Sequence, residues 1–174
     1  MKGLRSIPRI LKINEIEGFK VSLLFNNGES RIVDFEKFIK EVLKKVPGKR
    51  IYQVLEDESL FRKMKIVGST IGWDELGMKS LNANGEEGFH AYDIDPLLLF
   101  MNSEPDEERN IIIGMKIRSA RLEAGLTQEE LATRSGTSKH YISRLENNKS
   151  DIELMTLKKI VEAGLGKHLT IKIS

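Results

Sequence analysis

The stretch LTQEELATRSGTSKHYISRLENNKS, Leu126 to Ser150, decides how the second half of this 174-residue chain folds. Thr127 is followed three places later by Glu130, the T-x-x-E spacing in which hydroxyl and carboxylate satisfy the free amides of a starting helix. Leu131 and Ala132 then face inward, and the small Ala132 lets another helix come close. Gly136 falls where that helix ends, because a left-handed backbone conformation is cheap only for glycine. Ser138 caps the next helix, with Ile142 and Leu145 as its inward anchors. Two helices therefore meet with almost no loop between them.

With Ile142 and Leu145 turned inward, Lys139, Ser143 and Asn147 form an outward row at i, i+4 spacing, flanked by His140 and Arg144. A helix about 10–12 Å across matches a DNA major groove roughly 12 Å wide. Arg and Lys donate to guanine O6 and N7, while His or Ser reads several base edges. Thr127 and Gln128 stand at a helix N-terminus, where free amides and the dipole favour a phosphate oxygen. Phosphate contacts there set the register of the reading helix. The expected partner is double-stranded DNA. The rival reading of the same charges is a solvated helical face. Upstream, Ile113, Ile117, Ala120 and Ala124 line one face of another expected helix, which Gly125 ends.

This constellation resembles the Xre/Cro-type helix-turn-helix family of phage repressors and bacterial regulators. The matching residues are Ile117, Arg121, Leu126, Thr127, Gln128, Leu131, Ala132, Gly136, Ser138, Ile142, Leu145, Glu146, Asn147 and Lys149. The resemblance implies an internal salt bridge between Arg121 and Glu146. It implies base reading by Lys139, His140 and Arg144, with Ser138 and Tyr141 as additions, and phosphate contacts from Gln128, Ser143, Asn147 and Lys149. The tail, SDIELMTLKKIVEAGLGKHLTIKI, is similar to the end of Xre-type antitoxin subunits, a helix followed by a short strand. Thr156, Leu157, Ile160, Val161 and Ala163 match that helix, and Leu169, Ile171 and Ile173 alternate as one strand face. A lone strand needs a partner. Pairing with its own copy would give a homodimer with reading helices about one DNA turn, ~34 Å, apart on a palindromic operator. Joining the N-terminal sheet is the alternative.

The first half opens in a strand rhythm. RILKINEI precedes FKVSLLF, where Phe19, Val21, Leu23 and Phe25 share a face, and ESRIVDF follows an Asn27-Gly28 pair expected to supply the positive φ angles of a tight hairpin. Asp34 caps a helix whose inner face is Phe35, Phe38, Ile39, Val42, Leu43 and Val46, and Pro47-Gly48 ends it. A shorter helix is expected around Ser59 to Met64, a strand over KIVGSTIGW with Trp73 in the core, and a long loop or hairpin over LGMKSLNANGEEGFHA. Asp95 before Pro96 reads as a helix cap rather than a cation ligand. The polar stretch Asn102 to Glu108 then separates the halves. The expected class is α+β: a small antiparallel-sheet domain over residues 1–103, with helices on one side of a single sheet. A lambda-repressor-like helix-turn-helix domain over 104–174 follows, closing in a short strand.

This half also resembles an uncharacterised bacterial domain-of-unknown-function family. The cues are Phe25 to Gly28, Arg31 to Phe35, Leu60-Phe61, Ile71-Gly72-Trp73 and Asp93 to Pro96. Members occur alone, fused to this helix-turn-helix or near toxin–antitoxin genes. The resemblance gives a fold hint and little mechanism; beside a DNA-binding second half, this domain is expected to mediate dimer contacts, bind a toxin protein or sense a small molecule.

The totals bound the rest. Net charge is +2, yet residues 109–149 hold 8 Lys/Arg against 4 Asp/Glu, whereas residues 1–104 balance at 16 against 16. There is no Cys, which excludes disulfides and thiolate chemistry and suits a cytoplasmic setting. The longest apolar run, Leu97 to Met101, is far short of the ~20 residues of a membrane helix, and the N-terminal residues lack a signal-peptide pattern. His90, His140 and His168 have no metal-ligand spacing, and no nucleophile motif or Gly-rich phosphate loop is present, so neither enzyme activity nor a cofactor is expected. The expected function is a sequence-specific DNA-binding regulator, a dimeric repressor with antitoxin-like autoregulation. The alternative is an interaction or ligand-sensing module in which the helix-turn-helix is scaffold.

Overall fold

The structure, a computed structural model, describes residues 7–43, 49–81 and 84–173. It divides into two compact units, one running to Asn110 and the other beginning at Ile111. The class is α+β, as expected, with antiparallel sheets and short helices in the first unit and helices in the second.

Strands β1 (Ile10–Glu17), β2 (Lys20–Phe25) and β3 (Ser30–Asp34) form the expected antiparallel meander. Val21, Leu23, Phe25 and Val33 are buried, as period-two alternation dictates. The turn between β2 and β3 differs from expectation. It is a three-residue loop in which the Gly28 amide donates to the Phe25 carbonyl and the Phe25 amide to that of Glu29, both at 2.9 Å. Of the loop residues only Gly28 takes a positive φ, +84°, so Asn27 keeps an ordinary conformation.

Asp34 caps helix α1 (Phe35–Glu41) by accepting from the Lys37 amide at 3.0 Å, and Phe35, Phe38 and Ile39 face the core. The expected contributions of Val46, Pro47 and Gly48 lie outside the described residues. An unexpected helix α2 (Gln53–Glu56) ends where Asp57 turns extended, and Asp57 caps α3 (Glu58–Phe61), which is the helix expected around Ser59 to Met64 but stops at Phe61. KIVGSTIGW is likewise not one strand. It breaks at Gly68-Ser69 into β4 (Lys65–Val67) and β5 (Thr70–Leu81), which pair antiparallel. The Gly- and Asn-rich stretch is a hairpin that joins β5 to β6 (Glu87–Ile94). Among the described residues two sheets result, β4-β5-β6 and β1-β2-β3 extended by β7 (Glu104–Pro105), in place of the single sheet expected. In the core of this unit Phe35, Phe61 and Trp73 meet edge-on or tilted, with centroids 5.3–6.1 Å apart, and the Trp73 indole donates to the Phe61 carbonyl at 3.1 Å.

Helix α4 (Pro96–Met101) is capped by Asp95. The polar stretch after it is no free linker, which moves the boundary from Ser103 to Asn110. Strand β7 (Glu104–Pro105) pairs with β3. Arg31 lies over the Phe100 ring and donates to the Ser103 carbonyl at 2.5 Å and its hydroxyl at 2.8 Å. Asp106 is buried and accepts from the Ser22 hydroxyl. Asn110 both accepts from the Ser30 amide and donates to its carbonyl, each at 2.8 Å. The composition looks like a linker, but its polar groups are satisfied by the sheet's own polar face.

The second unit contains α5 (Ile113–Glu123), α6 (Gln128–Ser135), α7 (Lys139–Glu146) and α8 (Leu154–Lys159), which runs on into a π-helical turn, Ile160–Gly164. Ile117, Leu131, Ala132, Ile142, Leu145, Leu157 and Ile160 form its core. One inward assignment is corrected. Ala124 is exposed, because α5 has ended at Glu123, and Gly114, Ile117 and Arg121 are its buried positions. Ala163 is exposed and Gly164 buried, because the wider π turn advances the inner face by one residue. The expected C-terminal strand is also corrected: residues 167–173 carry no strand, and both sheets are built from segments before Asp106. Alternation gives a strand its faces, but a ladder needs a neighbour. Leu169 packs against the core, while Ile171 and Ile173 are exposed. Among the described residues no helix is long and apolar enough to cross a membrane.

Candidate nucleic-acid interface

Local chemistry sets the angle between α6 and α7. At the start of α6 the Thr127 hydroxyl accepts from the Glu130 amide at 3.2 Å, and the Glu130 carboxylate accepts from the Thr127 amide at 2.7 Å and hydroxyl at 2.8 Å. Those backbone and side-chain bonds from Thr127 hold the Glu130 carboxyl below its ordinary range. At the other end Gly136 takes φ +64°, which lets its own amide and that of Thr137 close back on the Thr133 and Ala132 carbonyls at 3.3 and 2.9 Å. Ser138 then accepts from the Tyr141 amide at 3.1 Å and starts α7.

Ile142 and Leu145 anchor α7 in the core, joined by a polar bracket. Arg121 and Glu146 are 7% and 4% exposed, which makes theirs a buried ion pair. The guanidinium meets the carboxylate through two bonds of 2.6 and 2.9 Å and gives a third to the Leu126 carbonyl at 2.8 Å. The Gln128 amide adds a further donor to Glu146 Oε2 at 2.8 Å. Burial pushes the Glu146 carboxyl up, but hydrogen bonds from Arg121 and Gln128 and the charges of Arg121 and Arg118 outweigh it and leave the group below its ordinary range. Hydrogen bonding to Glu146 raises Arg121 above its ordinary value. The α5 backbone also approaches α7 directly: a Cβ on Gly114 would lie 2.1 Å from the Leu145 carbonyl oxygen.

The outward face of α7 brings together Lys139, His140, Ser143, Arg144 and Asn147; Ser143 is half-buried and the others exposed. Lys139 Nζ sits 3.6 Å from Glu129. Arg144 donates to the Lys149 carbonyl at 2.9 Å, closing the loop after the helix, and Lys149 itself is exposed. The Asn147 amide donates to the Ser143 carbonyl at 2.7 Å. Three other candidates are engaged elsewhere. The Thr127 and Ser138 hydroxyls serve as caps, and Tyr141 packs half-buried against the core with its hydroxyl 3.4 Å from the Asp151 carbonyl. Burial, then Glu153 and Asp151, raise that phenol above its ordinary value. Sequence reading missed the Glu129 partner of Lys139, the Gln128–Glu146 bond and the close approach at Gly114. An isolated glycine inside a helical pattern is the signal that points to the last of these.

A family model described as Helix-turn-helix (HTH_3) matches residues 117–164, from the Ile117 anchor to the buried Gly164. Over 52 residues the chain is 38% identical to the uncharacterized HTH-type transcriptional regulator y4dJ of Sinorhizobium fredii, a stretch that is 30% of this chain and 68% of that protein. This chain belongs to the helix-turn-helix family. Its helix-turn-helix half is also similar to the crystal structure of the wild-type restriction-modification controller protein C.Esp1396I: 36% identity, 32% of this chain, 72% of that one, TM-score 0.31. A mutant form of the same controller gives 36% identity over 32% of this chain and 73% of its own, also at TM-score 0.31. The helix-turn-helix match lies wholly inside the second unit, and the unit ending at Asn110 stands outside it.

Proposed function

We propose that the chain is a sequence-specific regulator of transcription that binds duplex DNA through α7. One observation carries this reading: α7 is held by buried Ile142, Leu145 and Glu146, and Lys139, His140 and Arg144 stand exposed on its other side. Those three read base edges in the major groove. Ser138 and Tyr141 flank them, and their engaged hydroxyls limit them to positioning roles. Gln128, Ser143, Asn147 and Lys149 contact phosphates and set the register, while Thr127, whose amide and hydroxyl both donate to Glu130, is limited to capping the helix that presents Gln128. The positive balance over residues 109–149 favours the approach of a polyanion.

The regulator acts as a dimeric repressor on a palindromic operator. Support comes from exposed Ile171 and Ile173, an alternating pair on a segment without a ladder neighbour, which a second copy would cover. Autoregulation in the manner of an antitoxin, with a toxin or small molecule bound by the unit ending at Asn110, extends this reading. A scaffold role draws on a different observation, an open apolar depression on α5 that includes Ile112, Met115 and Ala120.

The test is selection of bound fragments from random duplexes, then affinity measurements on the best one. Lys139→Ala and Arg144→Ala should each weaken specific binding by ~1–3 kcal/mol and leave the fold intact. Unchanged affinity of both variants for every duplex removes the base-reading role, and wild-type binding that ignores salt removes the DNA reading.

A further inference from the structure

We propose that Glu146 is a positioning residue for DNA contact: its carboxylate holds the side chain of Gln128, tying the reading helix to the phosphate-facing end of α6. This rests on the DNA-binding reading above. A bidentate Arg121 already neutralises the Glu146 charge and supplies the internal salt bridge that holds the fold. The 2.8 Å bond from Gln128 is additional and comes from the first residue of α6, a half-buried side chain at the rim of the interface. A glutamine is otherwise a long, rotamer-rich group that must be ordered each time DNA binds. Held by Glu146, it is ordered beforehand, with one amide proton in use and the second proton and Oε1 available. The available proton suits a phosphate oxygen, which only accepts.

Glu146 is also the last residue of α7, the helix that carries Lys139 and Arg144. One carboxylate thereby sets where the phosphate contact falls relative to the base-reading row. A phosphate contact carries no sequence information by itself, but linked in this way it fixes which base step each side chain meets. The Arg121 bond to the Leu126 carbonyl extends the bracket to the segment that leads into α6.

The experiment measures affinity for the selected duplex with the full-length wild type, Glu146→Gln, Gln128→Ala and the double variant, each checked by its amide NMR spectrum. Glu146→Gln should weaken binding roughly ten-fold in the wild-type background, the size of one good hydrogen bond, and leave it unchanged in the Gln128→Ala background. Equal loss in both backgrounds overturns the proposal, since a carboxylate that serves only the fold acts regardless of Gln128. A second measurement on the wild type covers the case in which Glu146→Gln does not fold. The Gln128 side-chain amide should show one slowly exchanging proton in the free protein, whereas two rapidly exchanging, averaged protons overturn the tether. Absence of wild-type binding to any duplex overturns the DNA reading and this proposal with it. Binding with an averaged Gln128 amide overturns this proposal alone.

Discussion

The two units hold together by different means. The unit ending at Asn110 has a core of aliphatic residues from strands and helices, with Phe25, Phe35, Phe38, Phe61 and Trp73 fully or almost fully buried among them. The helix-turn-helix unit has a smaller core whose fully buried members are all aliphatic, and it encloses an Arg–Glu pair beside them. The smaller unit leans on end caps and on one charged bracket. A small core leaves more of each helix at the surface, which suits a surface meant to meet a large partner. The same economy makes it sensitive to any single polar group.

Substitutions can break that contrast. Glu146→Ala strands a buried guanidinium and should remove ~3–5 kcal/mol from the second unit. Phe35→Ala should remove a similar ~3–5 kcal/mol from the first through lost packing. Followed by residue-specific amide signals through a urea titration, each variant should shift the midpoint of its own unit; a common shift of all signals would mean that the two units unfold as one. Gly114→Ala places a methyl against the Leu145 carbonyl and should cost about 1–3 kcal/mol, visible as a lower melting temperature of the helix-turn-helix signals. A wild-type melting temperature in that variant would mean the α5–α7 approach is looser than the geometry implies. The smallest effect is titration. The Glu146 carboxyl lies below its ordinary range, so its contribution is complete above the unfolded glutamate value, about 4.3, and is lost as pH falls through the folded value. Acid should therefore lower the stability reported by the helix-turn-helix signals as Glu146 takes up a proton, and Glu146→Ala should flatten that dependence.

Legibility in the sequence follows the range of the interactions. Thr127 with Glu130, Gly136, Ser138 and the Ile142–Leu145 pair act within a few residues of one another, and each is where its local chemistry places it. The faces of β2 and α1 were legible for the same reason. Partners far along the chain were not. Nothing in the period of ESRIVDF announces that Ile32 pairs with Glu104, or that a polar stretch hides Asp106. The single-sheet expectation failed because alternation names a strand's face and leaves its neighbour open. In the interface, exposure of Lys139, His140 and Arg144 followed from the anchors, whereas the bond between Gln128 and Glu146 joins two helices whose separation no spacing reveals. The bidentate contact of Arg121 with Glu146, across 25 positions, was reached through family resemblance.

The bare backbone of Gly114 against Leu145 has a wider consequence. The tilt at which α7 leaves the domain is fixed in part where there is no side chain to vary, while the groups that would choose a target stand on the opposite flank. On the proposed base-reading roles, drift at Lys139 or His140 would re-address such a protein to a new site without disturbing the joint that aims it. Inheritance would preserve the mount and rewrite the message.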